Sequence, residues 1–198
     1  MRDMEPRLLQ QVHEDSGASP APGELDLVRE FLSLHDHMVG MSESLEPAPE
    51  TLDRWLKTKG LVEATDALTE KDLAWAFDVR EALVAKVLEN MGEPIAPATI
   101  ERLNDAVART GLRPRFGDPH LCAASRGIES AIGQLLGIAF LAELDGSWHR
   151  LRRCASPTCT SVFYDRSKNH SAKWCSMRSC GNRNKVRAFR ERRGASAP

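Results

Sequence analysis

The sequence has no apolar run long enough to cross a membrane. Its longest apolar stretch, AIGQLLGIAFLAEL, covers about 14 residues (131–144), whereas a membrane-spanning helix needs roughly 18 or more. This stretch therefore predicts a buried helix. The first residues, MRDMEPRLLQQ, are charged and carry no apolar segment of the secretory type. We therefore expect a cytoplasmic protein with no membrane contact, in which thiols stay reduced.

The sequence also lacks the short motifs that mark common catalytic sites. It contains no G-x-S-x-G nucleophile motif, no glycine-rich phosphate-binding loop and no H-E-x-x-H zinc motif. A nuclease would need clustered carboxylates beside a basic region, and the basic C-terminal segment holds only Asp165 and Glu191. We therefore expect that the protein is not an enzyme.

Cysteine is scarce in most of the chain and concentrated towards its C-terminal end. Of the five cysteines, only Cys122 lies outside this segment, and we interpret it as a small buried apolar side chain. The other four form two pairs, Cys154/Cys159 and Cys175/Cys180, with four residues inside each pair and fifteen between the pairs. This spacing is typical of a tetrahedral site of four thiolates. Since such a site leaves no position for water, we predict one structural Zn²⁺ per chain.

Other uses of these cysteines stay open from the sequence alone. Two disulfides would need an oxidising compartment, and a redox pair normally has two residues between its cysteines. An iron–sulfur cluster also takes four cysteines. His170 could replace one cysteine as a ligand, and His149 is a weaker candidate. Zinc fits the spacing best, and it would supply most of the folding free energy of so small a module.

The segment between the cysteine pairs carries a single acid, Asp165. Its carboxylate could orient a metal ligand or an arginine, or it could close a simple Asx turn. The aromatic residues around it are expected to form a small apolar core beside the metal. These residues are Phe163, Tyr164 and Trp174.

The near-neutral net charge of −1 conceals a strong asymmetry. Residues 1–149 hold 14 Lys or Arg against 26 Asp or Glu, a net charge of −12. Residues 150–198 hold 13 Lys or Arg against 2 Asp or Glu, a net charge of +11. An acidic body with a basic end is the charge pattern of a protein that binds a polyanion through one part only.

Most of these cations fall on the last predicted helix, from about residue 176 to 193. Val186 and Phe189, three residues apart, are expected to pack inward and to leave the cations on the other faces. Such a helix makes salt-dependent phosphate contacts, and its Arg and Asn side chains could reach base edges. We predict DNA binding, with RNA or an acidic protein surface as alternatives. The predicted nucleic-acid-binding residues are Arg166, Arg178, Asn182, Arg183, Asn184, Lys185, Arg187, Arg190, Arg192 and Arg193.

The rest of the sequence predicts a bundle of about five helices. Apolar spacing predicts helices over 23–41, 50–60, 69–91, 98–110 and 125–144, and a short strand pair near 113–116. Thr69 and Asp72 resemble a capping box at the start of the third helix. The sequence therefore predicts a mainly α fold, in which a helical bundle is followed by a small four-cysteine zinc finger with a short hairpin and a C-terminal helix. The predicted boundaries are a flexible arm (1–23), a helical domain (24–146), the finger (148–193) and a disordered tail (194–198).

Three polar residues of the helical part fall on or beside core-facing stripes. Arg80 and His35 take apolar positions of their helices, and Asn104 borders the stripe of another. Together they could line a pocket for a small anionic ligand, which would make the helical domain a sensor. The alternative is that Arg80 pairs internally with an acid such as Glu30 or Asp105, and that His35 is an ordinary buried histidine.

The C-terminal segment resembles the CGNR zinc finger. The resemblance covers residues 148–193 and implies a four-cysteine zinc site and a DNA-binding role. After Cys154 and Cys159, the matching motifs are FYDRS (163–167), WCS (174–176), CGNR (180–183), Lys185 and FRER (189–192).

The residues before the finger resemble, more loosely, the ABATE domain. This domain usually precedes the CGNR finger in proposed stress-induced transcription regulators of bacteria. The family tends to carry an Asn-Thr pair soon after its first Phe, where this chain has Leu32 and Ser33, so a ligand role of that pair is not carried over. The matching motifs are LDLVREF (25–31), WL and GL (within 55–61), VREAL (79–83) and LN (103–104).

Overall fold

The computed structural model describes residues 18–34, 49–117 and 120–194. It confirms the mainly α fold, with six α-helices and two antiparallel hairpins in these ranges. The helices are α1 (Leu25–Leu32), α2 (Pro49–Thr58), α3 (Glu70–Glu89), α4 (Pro97–Thr110), α5 (Gly127–Asp145) and α6 (Asn182–Gly194). The strands are β1 (Arg113–Arg115), β2 (His120–Cys122), β3 (Leu151–Arg153) and β4 (Val162–Tyr164). A 3₁₀ turn (Ser147–Arg150) precedes β3, and a π-helical turn (Met177–Gly181) precedes α6.

Helix α3 starts with the expected capping box. The Thr69 hydroxyl accepts a hydrogen bond from the Asp72 amide (3.2 Å), and the Asp72 carboxylate accepts one from the Thr69 amide (2.9 Å). Hydrogen bonds from the Thr69 hydroxyl and amide lower the pKa of Asp72, because they favour the charged carboxylate. The negative charge also suits the positive end of the helix dipole. The predicted start of this helix is therefore confirmed.

Helix α5 lies at the centre of the fold and contains the longest apolar stretch of the sequence. Ten of its residues are buried, among them Ile132, Leu135 and Ala139. It packs against α1, α3 and α4. By length and composition α5 could cross a membrane, but its position in the core explains its apolar residues. The predicted buried helix is confirmed.

Two glycines let the β1–β2 hairpin lie directly on α5. A Cβ atom at Gly133 would lie 2.7 Å from the Ala123 Cβ, and one at Gly137 would lie 3.2 Å from the Leu121 Cβ. Larger residues at these positions would therefore push the hairpin away from the helix. Ala123 lies against Gly133 of α5, and Leu121, which is closer to the tip of the hairpin, lies against Gly137. The hairpin therefore extends along α5 towards the C-terminal end of that helix.

Helix α1 is shorter than predicted. It ends at Leu32, and the predicted continuation to residue 41 is wrong at Leu34, which is not helical. The buried Arg80 guanidinium donates hydrogen bonds to the carbonyl oxygens of Phe31 (3.2 Å), Leu32 (2.9 Å) and Leu34 (2.7 Å). These bonds satisfy carbonyls that an ending helix leaves without partners. Residues 35–48 lie outside the described part of the chain.

The β3–β4 hairpin, which belongs to the predicted finger, packs into the core of the helical domain. Leu151, Val162 and the neighbouring Trp148 are buried in that core. The Ser33 hydroxyl accepts a hydrogen bond from the Val162 amide and donates one to the Val162 carbonyl, both at 2.9 Å. The Asn90 side-chain amide donates to the carbonyls of Trp148 (2.9 Å) and Leu151 (3.1 Å). One continuous core therefore joins the helices to the start of the finger.

The described end of the predicted N-terminal arm also contacts the finger. The Ser19 carbonyl accepts a hydrogen bond from the Tyr164 amide at 3.0 Å. The Pro20 carbonyl accepts one from the Arg166 guanidinium at 2.9 Å, and Ala21 is buried. These contacts fix the chain beside β4 before it enters α1.

We expect Ser33→Ala to lower the free energy of unfolding by about 1–2 kcal/mol, because it removes two hydrogen bonds from buried backbone groups of Val162. Chemical denaturation of the zinc-loaded protein measures this effect. Thr58→Ala is the control, since its hydroxyl bonds only an exposed helix carbonyl (2.8 Å), and it should cost less than about 0.5 kcal/mol. Equal effects of the two substitutions would argue against Ser33 as a link between the helices and the finger.

Candidate metal centre

The first cysteine pair lies on the connection between β3 and β4. Cys154 follows β3 directly, and its amide donates a hydrogen bond to the Ser161 carbonyl at 2.9 Å. This bond closes the loop that carries Cys159. The next residue, Ala155, donates its amide to the Lys173 carbonyl at 2.8 Å. The bond ties the loop of the first pair to the segment that carries the second pair.

The second cysteine pair lies around the π-helical turn that precedes α6. Cys175 stands two residues before the turn, and Cys180 lies within it. The Gly181 amide donates to the Ser176 carbonyl at 2.9 Å, a bond that spans five residues. Single π turns of this kind are common at functional sites. Here the turn places Cys180 close to Cys175 and at the same time starts α6.

The four sulfur atoms form one compact cluster. All four lie within 4.8 Å of one another, with the Cys159 and Cys175 sulfurs 3.8 Å apart and the Cys175 and Cys180 sulfurs 3.7 Å apart. A disulfide bond would bring two sulfurs to about 2.0 Å, and all four cysteines are free. Four sulfurs bound at about 2.3 Å to one tetrahedral Zn²⁺ lie about 3.8 Å apart. The cluster therefore has the dimensions of a zinc site.

Four thiols this close cannot all become thiolates unless a cation lies between them. A hydrogen bond with Cys159 raises the pKa of Cys154 to about 11, and hydrogen bonds with Cys154 and Cys159 raise the pKa of Cys175. Hydrogen bonds with Cys154 and Cys175 lower the pKa of Cys159. The thiolate is therefore favoured at Cys159, and the thiol is favoured at Cys154 and Cys175. A divalent cation favours the thiolate at all four positions.

The donor set fits Zn²⁺ as a structural ion. Three of the cysteines are buried and Cys159 is half-buried, so four thiolates would fill the tetrahedral sphere and leave no position for water. Among the described residues, neither His170 nor His149 belongs to the cluster. The His149 ring faces the Asn90 side chain (3.3 Å), and the His170 carbonyl accepts a hydrogen bond from Arg152 (3.1 Å).

The apolar core beside the cysteines is smaller than predicted. Phe163 is buried among the cysteines and Trp174 packs against them, whereas Tyr164 packs on the core of the helical domain. The prediction that Val186 and Phe189 pack inward is wrong, since they are 49% and 53% exposed. The cysteine cluster and its two aromatic neighbours already fill the small core of the finger.

Asp165 organises the loop between the cysteine pairs. Its buried carboxylate accepts hydrogen bonds from the amides of Ser167 (2.8 Å) and Ala172 (2.9 Å). Burial alone would raise the pKa of Asp165, but these hydrogen bonds and the charge of Arg152 outweigh it and lower the pKa. The bond to Ser167 is the Asx turn expected as one alternative. The bond to Ala172 closes the loop just before Cys175.

Two residues of the predicted nucleic-acid surface contact the metal ligand Cys180, and a third contacts one of these two. The Arg183 guanidinium donates to the Cys180 sulfur at 3.4 Å. The buried Asn184 side chain donates to the Cys180 carbonyl at 2.8 Å, and Arg187 donates to the Asn184 side-chain oxygen at 2.7 Å. The first turn of α6 therefore holds Cys180 in place and supplies a positive charge beside its sulfur.

Six other residues of the predicted nucleic-acid surface are exposed. Arg166 lies in the loop between the cysteine pairs, with its guanidinium 5.8 Å from the centre of the Tyr164 ring. The side chain of Arg193 lies outside the described residues. The exposed members on the π-helical turn and on α6 are Arg178, Asn182, Lys185, Arg190 and Arg192.

The structure does not bring the predicted pocket residues Arg80 and Asn104 together. Arg80 is 4% exposed, and its guanidinium is engaged by the carbonyls at the end of α1 and by Glu81. Asn104 is exposed on α4, so it does not face the core. His35, the third residue of the predicted pocket, lies outside the described part of the chain.

Ser33 and Asn90, which join the finger to the helices, were not predicted as functional residues. Nor was Ser161, a buried residue whose hydroxyl lies 3.4 Å from the Cys159 sulfur. Ser33 is a polar residue directly after an amphipathic helix, which is a weak signal. Its partner Val162 is 129 residues away, and no local spacing could have identified that contact.

Two protein-family models match the chain. The ABATE family, described as a proposed stress-induced transcription regulator, matches residues 25–136, which is more than half of the 198 residues. The chain belongs to the ABATE family. The CGNR zinc finger matches residues 150–193, which include all four clustered cysteines. No curated protein matches the chain.

The order of the two matches confirms the predicted arrangement of an ABATE domain followed by a CGNR finger. The finger match also confirms zinc as the ion suited to the four cysteines. The ABATE domain ends within α5, and the finger begins just after that helix. The metal site therefore follows directly on the central helix of the ABATE domain.

We expect Arg183→Ala to release zinc about 10-fold faster, because hydrogen bonds to a ligand stabilise the metal centre by this order of magnitude. The rate of zinc transfer to a coloured chelator measures this. Arg190→Ala removes the same charge from an exposed position of α6 and is the matched control. Equal release rates in the two variants would show that the contact with the Cys180 sulfur has no role in holding the ion.

Proposed function

We propose that the chain is a zinc-dependent, DNA-binding transcription regulator of the bacterial cytoplasm, and that it is not an enzyme. The observation that carries this proposal is the row of exposed cations on a helix that starts at the metal centre. The match to a family of proposed transcription regulators supports the regulatory role. The chemistry of a closed four-thiolate site supports a structural use of the metal.

The zinc ion gives α6 a fixed starting point. Cys180 lies in the turn before α6, and the first turn of the helix bonds back to that residue through Arg183 and Asn184. Beyond this turn the helix exposes its side chains to solvent. Like charges so close along one helix repel each other, and phosphate groups remove this repulsion. A polyanion is therefore the partner that this helix suits best.

DNA is favoured over RNA by the shape of the binding element. An α-helix fits the major groove of B-form DNA, where it can contact phosphates and base edges. The major groove of double-stranded RNA is too narrow and deep for side chains to read. Arg178 and Asn182 lie at the metal-anchored end of the helix and suit base contacts, whereas Lys185, Arg190 and Arg192 suit phosphate contacts.

We also propose that the ABATE domain regulates the finger. Residues 1–149, which precede the finger, carry a net charge of −12, so the basic finger supplies most of the attraction to a polyanion. Ser33, at the end of α1, bonds directly to β4 of the finger. A ligand or stress signal that shifts the end of α1 would therefore act on the strand that follows Cys159.

Binding to duplex DNA of mixed sequence tests this function. The zinc-loaded full chain should bind, and its affinity should fall at least 100-fold between 50 and 200 mM salt, since several phosphate contacts are involved. An affinity that stays flat over this range would overturn the proposal. Tighter binding to RNA than to duplex DNA would favour the RNA alternative. Selection of bound genomic fragments would then identify the sequences recognised.

A further inference from the structure

The β1–β2 hairpin carries an exposed basic face within the acidic ABATE domain. Arg113 pairs with Cys122 and Arg115 pairs with His120 in the antiparallel register. Paired residues, and residues two apart on one strand, point to the same side of a hairpin. Arg113 and Arg115 therefore share a face, opposite the one through which Leu121 packs on α5. All three residues of β1 are exposed.

Within the described ranges, the two arginines of this face, Arg113 and Arg115, form no ion pair with the rest of the fold. Phe116 follows them at the tip of the hairpin and is 89% exposed. Two free guanidinium groups beside an exposed ring form a surface that suits phosphates and the faces of sugars or bases.

The hairpin points towards the end of α5 from which the finger begins. Ala123 lies against Gly133 and Leu121 lies against Gly137, so the tip extends further towards the C-terminal end of α5. The 3₁₀ turn and β3 follow that end of the helix directly. The basic face and the finger therefore belong to the same end of the ABATE domain.

We propose that the β1–β2 hairpin is a second DNA-contacting element, in which Arg113 and Arg115 bind backbone phosphates and Phe116 packs against a sugar or base. This inference rests on the proposed function, since it assumes that α6 brings DNA to the molecule. The charge of the hairpin decides the partner, because two cations on an acidic domain complement a polyanion. The hairpin adds contacts that α6 alone cannot make.

The test uses the zinc-loaded full chain with a double variant, Arg113→Ala with Arg115→Ala. DNA affinity near 150 mM salt should fall about 10- to 30-fold, and the slope of log affinity against log salt should decrease by about 2, because two phosphate contacts are lost. The matched control is Arg54→Ala with Lys71→Ala, which removes the same charge from exposed helical positions. A variant that binds like this control would overturn the inference.

A second measurement does not depend on affinity. A photoreactive phenylalanine analogue at position 116 should crosslink to bound DNA, and the same analogue at position 54 should not. No crosslink at position 116 while the wild-type chain binds DNA would overturn the hairpin inference and leave the proposed function standing. No binding by the wild-type chain would overturn both. A changed oligomeric state of the double variant, with unchanged DNA affinity, would show a protein contact instead.

Discussion

Cys175→Ser should abolish the binding of zinc and unfold the finger. Elemental analysis of the purified protein should show one zinc per wild-type chain and essentially none in the variant. Cys175 is 6% exposed, and its sulfur lies 3.8 Å from that of Cys159 and 3.7 Å from that of Cys180. A serine hydroxyl is a poor ligand for Zn²⁺, so this substitution removes the central member of the cluster.

The loss of zinc should also destabilise the helices. Metal binding contributes about 10–16 kcal/mol in small zinc fingers, and here the hairpin that carries Cys154 is also part of the ABATE core. An unfolded finger would pull Leu151 and Val162 out of that core. We therefore expect a lower thermal unfolding temperature for the whole chain, and a chelator should produce the same change in the wild-type protein.

Cys122→Ser is the control for this experiment. Cys122 lies on β2 and is a cysteine outside the cluster, so the variant should keep one zinc per chain. Retention of a full zinc ion by Cys175→Ser would contradict a four-cysteine site and would require another ligand. Loss of zinc with an unchanged unfolding temperature would contradict the energetic link between the finger and the helices.

The metal centre could be predicted because its signal is local. Each cysteine pair spans six positions, 154–159 and 175–180, and the short spacing forces both thiols of a pair into one turn. Helix starts and buried stripes could be predicted for the same reason. The capping box at Thr69 uses atoms three residues apart, and the burial of α5 follows from its largely apolar composition.

The contacts between distant parts of the chain could not be predicted in this way. The sequence shows Arg80 on a core-facing stripe, but besides the adjacent Glu81 its partners are carbonyls 46 to 49 residues away. Backbone carbonyls carry no sequence signature, so an acidic partner or a ligand pocket was the natural expectation. The contact between Ser33 and Val162 is of the same kind.

The exposed apolar residues of α6 show a second limit of pattern reasoning. Val186 and Phe189 have the spacing of a buried stripe, but a helix buries such a stripe only where a core surface is available. The finger has space for Phe163 and Trp174 beside the cysteines, and α6 extends past this small core. Length and spacing therefore predicted the helix, and the small size of the finger decided its exposure.

A triple variant of α6, Lys185→Ala with Arg190→Ala and Arg192→Ala, should bind DNA about 100-fold more weakly near 150 mM salt. Each lost phosphate contact should also reduce the slope of log affinity against log salt by about 0.9. These three residues are exposed, and the described contacts between α6 and Cys180 come from Arg183 and Asn184 instead. The metal centre should therefore stay intact in this variant. Fluorescence anisotropy with labelled duplex DNA over 50–200 mM salt measures both quantities.

A control variant decides whether the cations of α6 contact phosphates or act only through the overall charge. Arg54→Ala with Lys71→Ala and Arg102→Ala removes the same total charge from exposed positions of the helices. If the proposed contacts exist, this control should keep the wild-type slope and lose only a few-fold in affinity, because distant charges are screened beyond about 10 Å. Equal losses in the two triple variants would mean that α6 does not touch DNA. Zinc content must stay at one per chain in both, since a loss of metal would weaken binding by unfolding the finger and not by removing cations.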